Sequence, residues 1–475
     1  MTALVWFRHD LRLYDNPALC KAAELQEGVV AVYVHCAALV KAHNTAPAQL
    51  DFIRRHLIVL QRDLLKLNIP LIVIKVAEPE NIAPALLNVA QSYEVSYCFF
   101  NAEYPLDELR RDQQVNQTLK DVGIVVKRCH DRVIVPPGII RNGQGEPYRV
   151  FTAYKKKWLQ TASSMSMRPH GVPDKQVALS VVDTVVFPER IETLFMGEKL
   201  RDLSQLWPAG EDEAQTRLQY FIEHSLRHYK EQRDIPSVAG TSTLSPYLAV
   251  GAISPRQCVS EVLNFTHGEW AGQNEGASCW ISEIIWREFY QHLMVDFPRL
   301  SMSRAMQAHT ELFPWRKDTN DFNAWCEGRT GIPIVDAAMR QLNATGWMHN
   351  RLRMVVAMFL TKNLQIDWRW GEAYFMSQLI DGDFAANNGG WQWSASTGTD
   401  AAPYFRIFNP ISQSERFDPE GIFLRKWIPE LSNLSNKQIH NPPLVEGYPS
   451  AIVDLSKSRK DTIALFKGLQ PAKNN

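Results

Sequence analysis

The chain has 475 residues, and its 51 Lys and Arg balance its 51 Asp and Glu, so the formal net charge is zero. With 45% hydrophobic and 21% charged residues, the composition is typical of a folded soluble protein and excludes an intrinsically disordered one. The length predicts two or three domains, and the neutral charge excludes a charge-driven coat for nucleic acid but allows a local basic groove.

The first 130 residues alternate short apolar runs with longer amphipathic stretches. In Pro47–Leu67, leucine and isoleucine recur every three or four residues, which indicates a helix. Strands that alternate with helices predict a doubly wound parallel sheet covered on both faces. We find neither a GxGxxG fingerprint nor a Walker A motif in this half. The predicted strands are Leu4–Phe7, Val29–Val34, Leu71–Val76, Val95–Phe100 and Ile124–Val126, and Leu106–Leu119 is a second predicted helix.

The rest of the chain is predicted to be a connection followed by a larger helical domain. Prolines and glycines punctuate the stretch after residue 131, and Ser163–Pro188 is predicted as a long loop. From about residue 200 the strand signal ends. We therefore expect an α/β domain at 1–131, a connection at 132–199 and an all-α domain at 200–475. The predicted helices are Glu211–His228, Pro255–Phe265, Trp280–Val295, Ile334–Ala344, His349–Leu364 and Trp370–Leu379.

Three segments of the helical half carry candidate chemistry. Gly240 precedes the hydroxyl run Thr241–Ser245, which suits either phosphate oxygens or the capping of a helix. Glu283 lies among Trp280, Ile284, Ile285 and Trp286, an apolar setting in which a carboxyl can hold or give a proton. The simpler alternative is a helix-surface ion pair with Arg287, four residues on.

The third segment is the apolar, and therefore buried, predicted helix His349–Leu364, which begins with a cluster of polar residues. A buried Arg353 requires an anionic partner, and Asp381 or Asp383 can supply it, either as an ordinary ion pair or as part of a site. The DxD spacing also suits a divalent cation. We expect no metal, because such cations need six or more oxygen ligands and the neighbouring residues offer none.

Ten of the 14 tryptophans fall between Trp270 and Trp393, which indicates either aromatic core filling or a site for flat ligands such as bases or a flavin. The seven cysteines include no CxxC and have irregular spacings, so neither zinc nor a disulfide framework is expected. No apolar run approaches the length of a membrane span, and charges at positions 8–12 interrupt any signal peptide. We expect a cytoplasmic protein without a membrane partner.

These segments together resemble the photolyase/cryptochrome family, from VWFRHDLRLYDNPAL near the N-terminus to about residue 430. The most specific motifs are TSTLSPYLAVGAISPRQC, WREFYQH, TGWMHNRLRM, DWRWGE and DGDFAANNGGWQWSASTGTDAAPYFRIFNP. Within the family, the chain is most similar to bacterial class I cyclobutane pyrimidine dimer photolyases. The resemblance implies an α/β antenna domain and a helical domain that holds FAD, with UV-damaged DNA as the partner and a monomer as the working form.

The resemblance also implies roles for individual residues. Asn387 would face flavin N5, and the flavin would be reduced in light through Trp391, Trp368 and Trp315. Photoexcited reduced FAD would give an electron to a flipped-out dimer, whose base carbonyls Glu283 would hydrogen-bond. The implied FAD-binding residues are Tyr229, Thr241, Ser242, Thr243, Leu244, Ser245, Trp280, Glu283, Arg287, Asn350, Arg353, Asp381, Gly382, Asp383 and Asn387. The implied substrate and DNA contacts are Arg233, Glu283, Trp286, Asn350, Arg351, Met354 and Trp393.

The chain departs from the family pattern at three places. Position 243 is Thr where relatives often have Arg. Met302 stands where folate-binding relatives have Lys, and Asp107–Glu108 replaces their Asn–Glu pair. We expect methenyltetrahydrofolate as the antenna chromophore at Asp107 and Glu108, while a deazaflavin or an empty site remains an alternative.

Three other functions remain open at this stage. A cryptochrome would signal in blue light without repair, but plant-type receptors tend to have Asp where this chain has Asn387. A (6-4) photolyase usually has a His pair in place of Asn350 and Met354. The third function is that of a redox flavoprotein acting on small molecules. The missing dinucleotide fingerprint counts against it.

Overall fold

The computed structural model describes residues 2–179, 190–270 and 274–469. Its N-terminal part is a five-stranded sheet in the order β3-β2-β1-β4-β5, and every pairing is parallel. This doubly wound sheet, followed by a helical part, confirms the predicted fold class. The strands are β1 (Thr2–Phe7), β2 (Val29–Cys36), β3 (Leu71–Val76), β4 (Val95–Asn101) and β5 (Val125–Cys129).

The central strand β1 shows why the apolar runs form a covered sheet. All six of its residues are buried. Val5 and Phe7 point into the core that continues toward the helical part, whereas Leu4 and Trp6 pack in a second core on the other face. The covering helices are α1 (Pro17–Ala23), α2 (Ala37–Ala42), α3 (Pro47–Lys66), α4 (Ile82–Ser92) and α5 (Leu106–Lys120).

The described residues after β5 form helices but no further strand. The longest, α12, begins at its cap Asn274, whose side chain accepts a hydrogen bond from Ala277 N. The helices are α6 (Phe151–Ala162), α7 (Ile191–Leu194), α8 (Glu211–His224), α9 (Tyr229–Gln232), α10 (Ser245–Val250), α11 (Pro255–Phe265), α12 (Glu275–Asp296), α13 (Thr319–Glu327), α14 (Pro333–Thr345), α15 (Asn350–Met358), α16 (Trp368–Gln378), α17 (Phe384–Ala395), α18 (Pro410–Phe417), α19 (Ile422–Trp427) and α20 (Leu455–Gly468).

One helix of the helical part differs from the sequence prediction, and a second one is not among the predicted helices. The predicted helix His349–Leu364 is α-helical only over α15 and continues as a π-helix, Phe359–Asn363. The tail after Ser435 also forms α20, which begins at Asp454, whose carboxylate accepts hydrogen bonds from the first backbone N–H groups. The two features meet, because Thr462 of α20 donates a hydrogen bond to Lys362 O of the π-helix.

The predicted connection contains two helices, α6 and α7, on either side of its predicted loop. Residues 163–179 of that loop contain no helix or strand, and residues 180–188 lie outside the described residues. Seven cysteines, all described, are free. None of the helices in the described ranges combines the length and the apolar character that a bilayer crossing requires. Within those same ranges, no group of three His, Cys, Asp or Glu side chains is placed to bind a metal ion.

Polar contacts join the sheet to the helices. Gln49 of α3 donates a hydrogen bond to Gly382 O, 2.8 Å away, just before α17. The buried carboxylate of Glu288 on α12 accepts hydrogen bonds from the backbone N–H groups of Ile134 and Val135 and from the indole of Trp158. These contacts fix the helices that carry the candidate site relative to the sheet.

His56 on α3 is a buried histidine at the same junction. Its Nδ1–H donates to Phe52 O at 2.9 Å, so Nε2 accepts from Gly210 N at 3.2 Å. Burial lowers the pKa of His56 to about 4. Because Nε2 must stay unprotonated to accept this bond, the folded protein favours neutral His56.

We expect the free energy of unfolding to fall as the pH drops from about 6.5 to 4, since the unfolded chain binds a proton that folded His56 resists. The contribution of this group is about 3 kcal/mol, at roughly 1.4 kcal/mol per pKa unit. His56→Gln should reduce the pH slope measured by denaturant unfolding, while His170→Gln, at an exposed histidine, should not. An unchanged slope in His56→Gln would contradict the assignment.

Candidate functional site

The candidate site is built around α17, which packs against α12, α15 and α16. Asp383 caps this helix, since its carboxylate accepts a hydrogen bond from Ala386 N at 3.0 Å. Asn387, Trp391 and Trp393 lie along α17. The fold therefore brings most of the sequence-predicted site residues onto α17, onto the three helices that contact it, and onto the turn that opens α17.

The structure contains the ion pair that the sequence predicts between α15 and this turn. Arg353 Nη2 lies 2.7 Å from Asp381 Oδ2, and Arg353 Nε donates to Met348 O. The Asp381 side chain is only 2% exposed. Its second oxygen, Oδ1, is buried without a hydrogen-bond partner. Because buried carboxylate oxygens are normally satisfied, Asp381 Oδ1 is free to accept a donor from a bound ligand.

Asp383 pairs with a residue that the sequence analysis missed. Arg132 Nη2 lies 2.6 Å from Asp383 Oδ2, and Gln291 Nε2 donates to the same carboxylate. Burial would raise the pKa of Asp383, but the cations Arg132 and Arg287 hold it below its ordinary value. Asp383 is thus a buried anion. Arg132 lies in none of the specific motifs, so the sequence offered no signal for it.

Glu283 does not form the helix-surface pair with Arg287. Its Oε1 instead accepts a hydrogen bond from Arg233 Nη1 at 2.5 Å, while Arg287 Nη1 donates to Arg132 O at 2.6 Å. The side chain of Glu283 is 30% exposed. The structure therefore does not place Glu283 in the wholly apolar setting expected from its neighbours, because Arg233 at the end of α9 reaches its carboxylate.

Arg233 and Arg351 are joined through Asp234, another residue absent from the sequence prediction. Arg351 Nη2 lies 2.6 Å from Asp234 Oδ2, and Arg233 Nε lies 3.9 Å from Asp234 Oδ1. The order Glu283–Arg233–Asp234–Arg351 makes an alternating row of charges, all of them half-buried. Asn350, the first residue of α15, is exposed beside this row.

The hydroxyl run before α10 does not cap that helix. The cap position is Leu244, which is buried and makes no side-chain capping bond. Thr243 has a left-handed backbone with φ +51°, and its hydroxyl accepts a hydrogen bond from Arg217 Nη1 at 3.3 Å. Ser245 accepts one from Trp347 Nε1. The capping alternative is wrong, so Thr241 and Ser242 remain available to a ligand.

Asn387 is oriented by α16. Its Nδ2 donates to Glu372 O at 3.0 Å, which leaves its Oδ1 as the free acceptor. The Glu372 carboxyl accepts a hydrogen bond from Asn388 Nδ2 at 2.7 Å, and burial raises the pKa of Glu372 to about 7. Gln392 Nε2 in turn donates to Asn388 Oδ1. Sequence reasoning missed this buried row, although the DWRWGE motif contains Glu372.

The three tryptophans of the predicted chain run from the interior toward solvent. Trp391 and Trp368 are buried, and their indole N–H groups have no partner, whereas Trp315 is half-buried. The Trp391 ring lies against Gly371, one helical turn from Trp368. Arg316 N donates to Gln365 O, which holds the Trp315 segment beside the start of α16.

The remaining predicted residues lie as follows. Trp286 stacks on Phe151, with 3.5 Å between ring centroids and 8° between planes. The Tyr290 ring also lies 5.6 Å from that of Trp286. Asp107 and Glu108 open α5, where Leu106 N donates to Ser301 Oγ of the 3-10 helix Pro298–Met302. Tyr229 and Trp280 are buried, while Met354 and Trp393 are half-buried.

Comparison with known protein families finds a match for the α/β part and a match for the helical part that carries the candidate site. Residues 3–175 match a family model described as DNA photolyase, and residues 280–468 match the FAD binding domain of DNA photolyase. A deoxyribodipyrimidine photo-lyase of Vibrio cholerae is 46% identical over 474 residues, which cover 98% of this chain and 99% of that protein.

Two solved structures are similar over nearly the whole chain. A class III photolyase of Agrobacterium tumefaciens has a TM-score of 0.88 at 34% identity, covering 98% of this chain and 97% of its own. An archaeal photolyase of Sulfolobus tokodaii with two FAD molecules has a TM-score of 0.83 at 30% identity, covering 98% of this chain and all of its own.

We expect Gly371→Ala to displace Trp391, because an added Cβ would lie 2.0 Å from the indole ring. Such overpacking typically lowers the free energy of unfolding by about 1–3 kcal/mol. Gly468→Ala, at the end of α20 where a Cβ meets nothing within 4 Å, is the matched control. Thermal unfolding of both variants tests the contact, and equal midpoints would contradict it.

Proposed function

Because the chain belongs to the DNA photolyase family, we propose that this site repairs cyclobutane pyrimidine dimers in UV-damaged DNA, as a light-driven carbon–carbon lyase. The observation that carries the proposal is the pairing of half-buried Arg353 with buried Asp381, which has one carboxylate oxygen unsatisfied and lies beside the helix that carries Asn387. Buried carboxylate oxygens are usually satisfied, so the open oxygen of Asp381 favours a bound donor at this position. The cryptochrome alternative is not favoured, since relatives at up to 46% identity are photo-lyases.

FAD is the cofactor, and the residues present fit it. Asp381 Oδ1 requires a donor, which a ring N–H of the flavin can provide, and the hydroxyls of Thr241 and Ser242 suit its phosphates. Reduced FAD, excited by blue or near-ultraviolet light, supplies the electron that opens the dimer ring. The residues proposed to hold FAD are Tyr229, Thr241, Ser242, Thr243, Leu244, Ser245, Trp280, Glu283, Arg287, Asn350, Arg353, Asp381, Gly382, Asp383 and Asn387.

The hydrogen bond from Asn387 to Glu372 O of α16 orients the Asn387 side chain in the proposed cofactor site. Since its amide nitrogen donates to Glu372 O, the carbonyl oxygen of Asn387 is the acceptor that its side chain can offer to flavin N5–H. That oxygen accepts a hydrogen bond from N5–H and so favours the protonated, reduced ring over the oxidised one, which lacks this donor. The pairing of Asn387 with a main-chain carbonyl keeps the amide from flipping.

The half-buried row from Glu283 to Arg351 is proposed as the entrance for the flipped dimer. Glu283 accepts a hydrogen bond from a base N–H group, because a carboxylate paired with Arg233 has only acceptor oxygens and no donor for the base carbonyls. Arg233 and Arg351 neutralise the flanking phosphates. Half-buried Trp286, which Phe151 stacks against on one face, is proposed to contact the dimer with its indole ring. The other proposed contacts are Asn350, Met354 and Trp393.

Further proposals concern the rest of the molecule. Methenyltetrahydrofolate is proposed beside Asp107 and Glu108, supported by the contact of Leu106 with Ser301 there. A second flavin is the alternative that the Sulfolobus tokodaii relative suggests.

We propose an antenna domain at 1–131, a connection at 132–199 and a catalytic domain at 200–475. The protein is proposed to work as a monomer in the cytoplasm, where free cysteines are stable.

Trp391→Phe should block the reduction of bound oxidised flavin in light but spare repair once the flavin is reduced chemically. Phenylalanine keeps much of the packing against Gly371 but is far harder to oxidise than indole. Flavin absorbance during illumination measures the first effect, and a dimer repair assay measures the second. Photoreduction at the wild-type rate would show that Trp391 is not the first donor.

Glu283→Ala should weaken binding of dimer-containing DNA by about 1–3 kcal/mol, because a buried partner on the base loses its hydrogen bond. Repair per absorbed photon at saturating DNA should also fall, with flavin content nearly unchanged. The matched control is Glu275→Ala at the start of the same helix, which removes an exposed pair with Lys230. If Glu283→Ala and the control behave alike, Glu283 only holds Arg233.

A further inference from the structure

Trp368, the middle member of the proposed tryptophan chain, cannot lose a proton where it lies. It is fully buried, and its Nε1–H has no hydrogen-bond partner. An indole that has given up an electron becomes far more acidic, yet here neither water nor an acceptor reaches the N–H. The oxidised side chain of Trp368 therefore stays a radical cation, whose energy depends directly on neighbouring charges.

A fixed cation lies over this ring. The guanidinium carbon of Arg369 is 4.7 Å from the Trp368 ring centroid. Its position is set by three contacts: Glu311 Oε2 at 2.6 Å, Asp367 Oδ1 at 3.1 Å and Ser303 O at 2.7 Å. Asp367 in turn caps α16 at the backbone N–H of Arg369. The guanidinium is thus held by partners on three sides.

This arrangement has opposite effects on the two states of the indole. The cation attracts the electron-rich face of neutral Trp368 but repels the positive charge of the oxidised ring. The two carboxylates offset part of that repulsion. We infer that Arg369 is a tuning residue for the tryptophan chain, which makes Trp368 a poor resting place for positive charge and drives the charge on to half-buried Trp315. The inference rests on the proposed role of the chain in photoreduction.

Each tryptophan of the proposed chain that loses an electron regains one from the next donor. Trp391 gives one electron to the bound cofactor, Trp368 refills Trp391, and Trp315 refills Trp368. The Trp315 radical cation then releases its indole proton to water, which its half-buried position permits. A thiol reductant in solution returns the missing electron. Only at Trp315 can deprotonation make the transfer irreversible, so positive charge that rests on Trp368 is lost to charge recombination.

The test is flash spectroscopy of the flavin-loaded protein and its Arg369→Gln variant, since radical-cation and neutral indole radicals absorb differently. Removing the cation leaves Glu311 and Asp367 uncompensated, so oxidised Trp368 becomes more stable. We expect the ratio of radical cation to neutral radical to rise about tenfold, because one charge at this separation outweighs thermal energy even at a surface-like dielectric. The radical signal should also decay faster, and Arg369→Lys should lie closer to wild type.

Glu311→Gln should change the ratio of radical cation to neutral radical in the opposite direction to Arg369→Gln. It removes a negative charge but retains an oxygen for Ala305 N, which donates to Glu311 Oε1. The cation-to-neutral ratio should then fall below that of wild type. Lys426→Gln is the matched control, since Lys426 lies 5.5 Å over the ring of Trp427, which is outside the chain. A change of equal sign in the Arg369 and Glu311 variants, or none in either, would overturn the inference.

Trp368→Phe separates failure of this inference from failure of the chain itself. If Trp368→Phe photoreduces like wild type, the proposed chain is wrong. If it blocks photoreduction while the Arg369 and Glu311 variants keep the wild-type radical spectra, only the tuning role is wrong. Should Arg369→Gln not fold, as judged by thermal unfolding, the Glu311→Gln ratio decides alone: a fall supports the inference, and no fall overturns it.

Discussion

The structure depends above all on two buried carboxylates in one turn. Asp381 reaches Arg353 on α15, and Asp383 reaches Arg132 before α6 while capping α17. Between them, Gly382 O accepts the hydrogen bond of Gln49 from the α/β part. A buried charge that loses its partner destabilises a protein by about 3–5 kcal/mol, so this turn strongly fixes the position of α17.

The direction of α17 after that turn determines where the proposed site residues Asn387 and Trp391 lie. Asn387 and Trp391 are four residues apart and share one face of the helix. Asn387 is held by Glu372 O and Trp391 by its contact with Gly371, and both of those residues belong to α16. The same pair of helices thus positions the proposed acceptor for the flavin and the proposed first donor of the tryptophan chain. A shift of the turn would move both together.

Much of the fold could be predicted from the sequence, because local patterns specify it. Apolar runs became strands within a few residues, and Arg353 does pair with a carboxylate of DGD, although its side chain is half-buried rather than buried. The π-helix could not be predicted, since α- and π-helical segments share one apolar pattern. The four-residue spacing of Glu283 and Arg287 wrongly suggested an ion pair between them. Glu283 pairs instead with Arg233, and Arg287 donates to Arg132 O, and both partners are distant in sequence. Arg132 and Asp234 were missed for the same reason.

The most direct test of the account is repair of dimer-containing DNA by the purified, FAD-reduced protein, measured once in the dark and once under blue light. Light supplies the energy for the electron transfer, and the protein's residues supply only position and charge. We predict repair in the light and none in the dark. Repair in the dark, or no repair in the light with reduced FAD bound, would contradict the account.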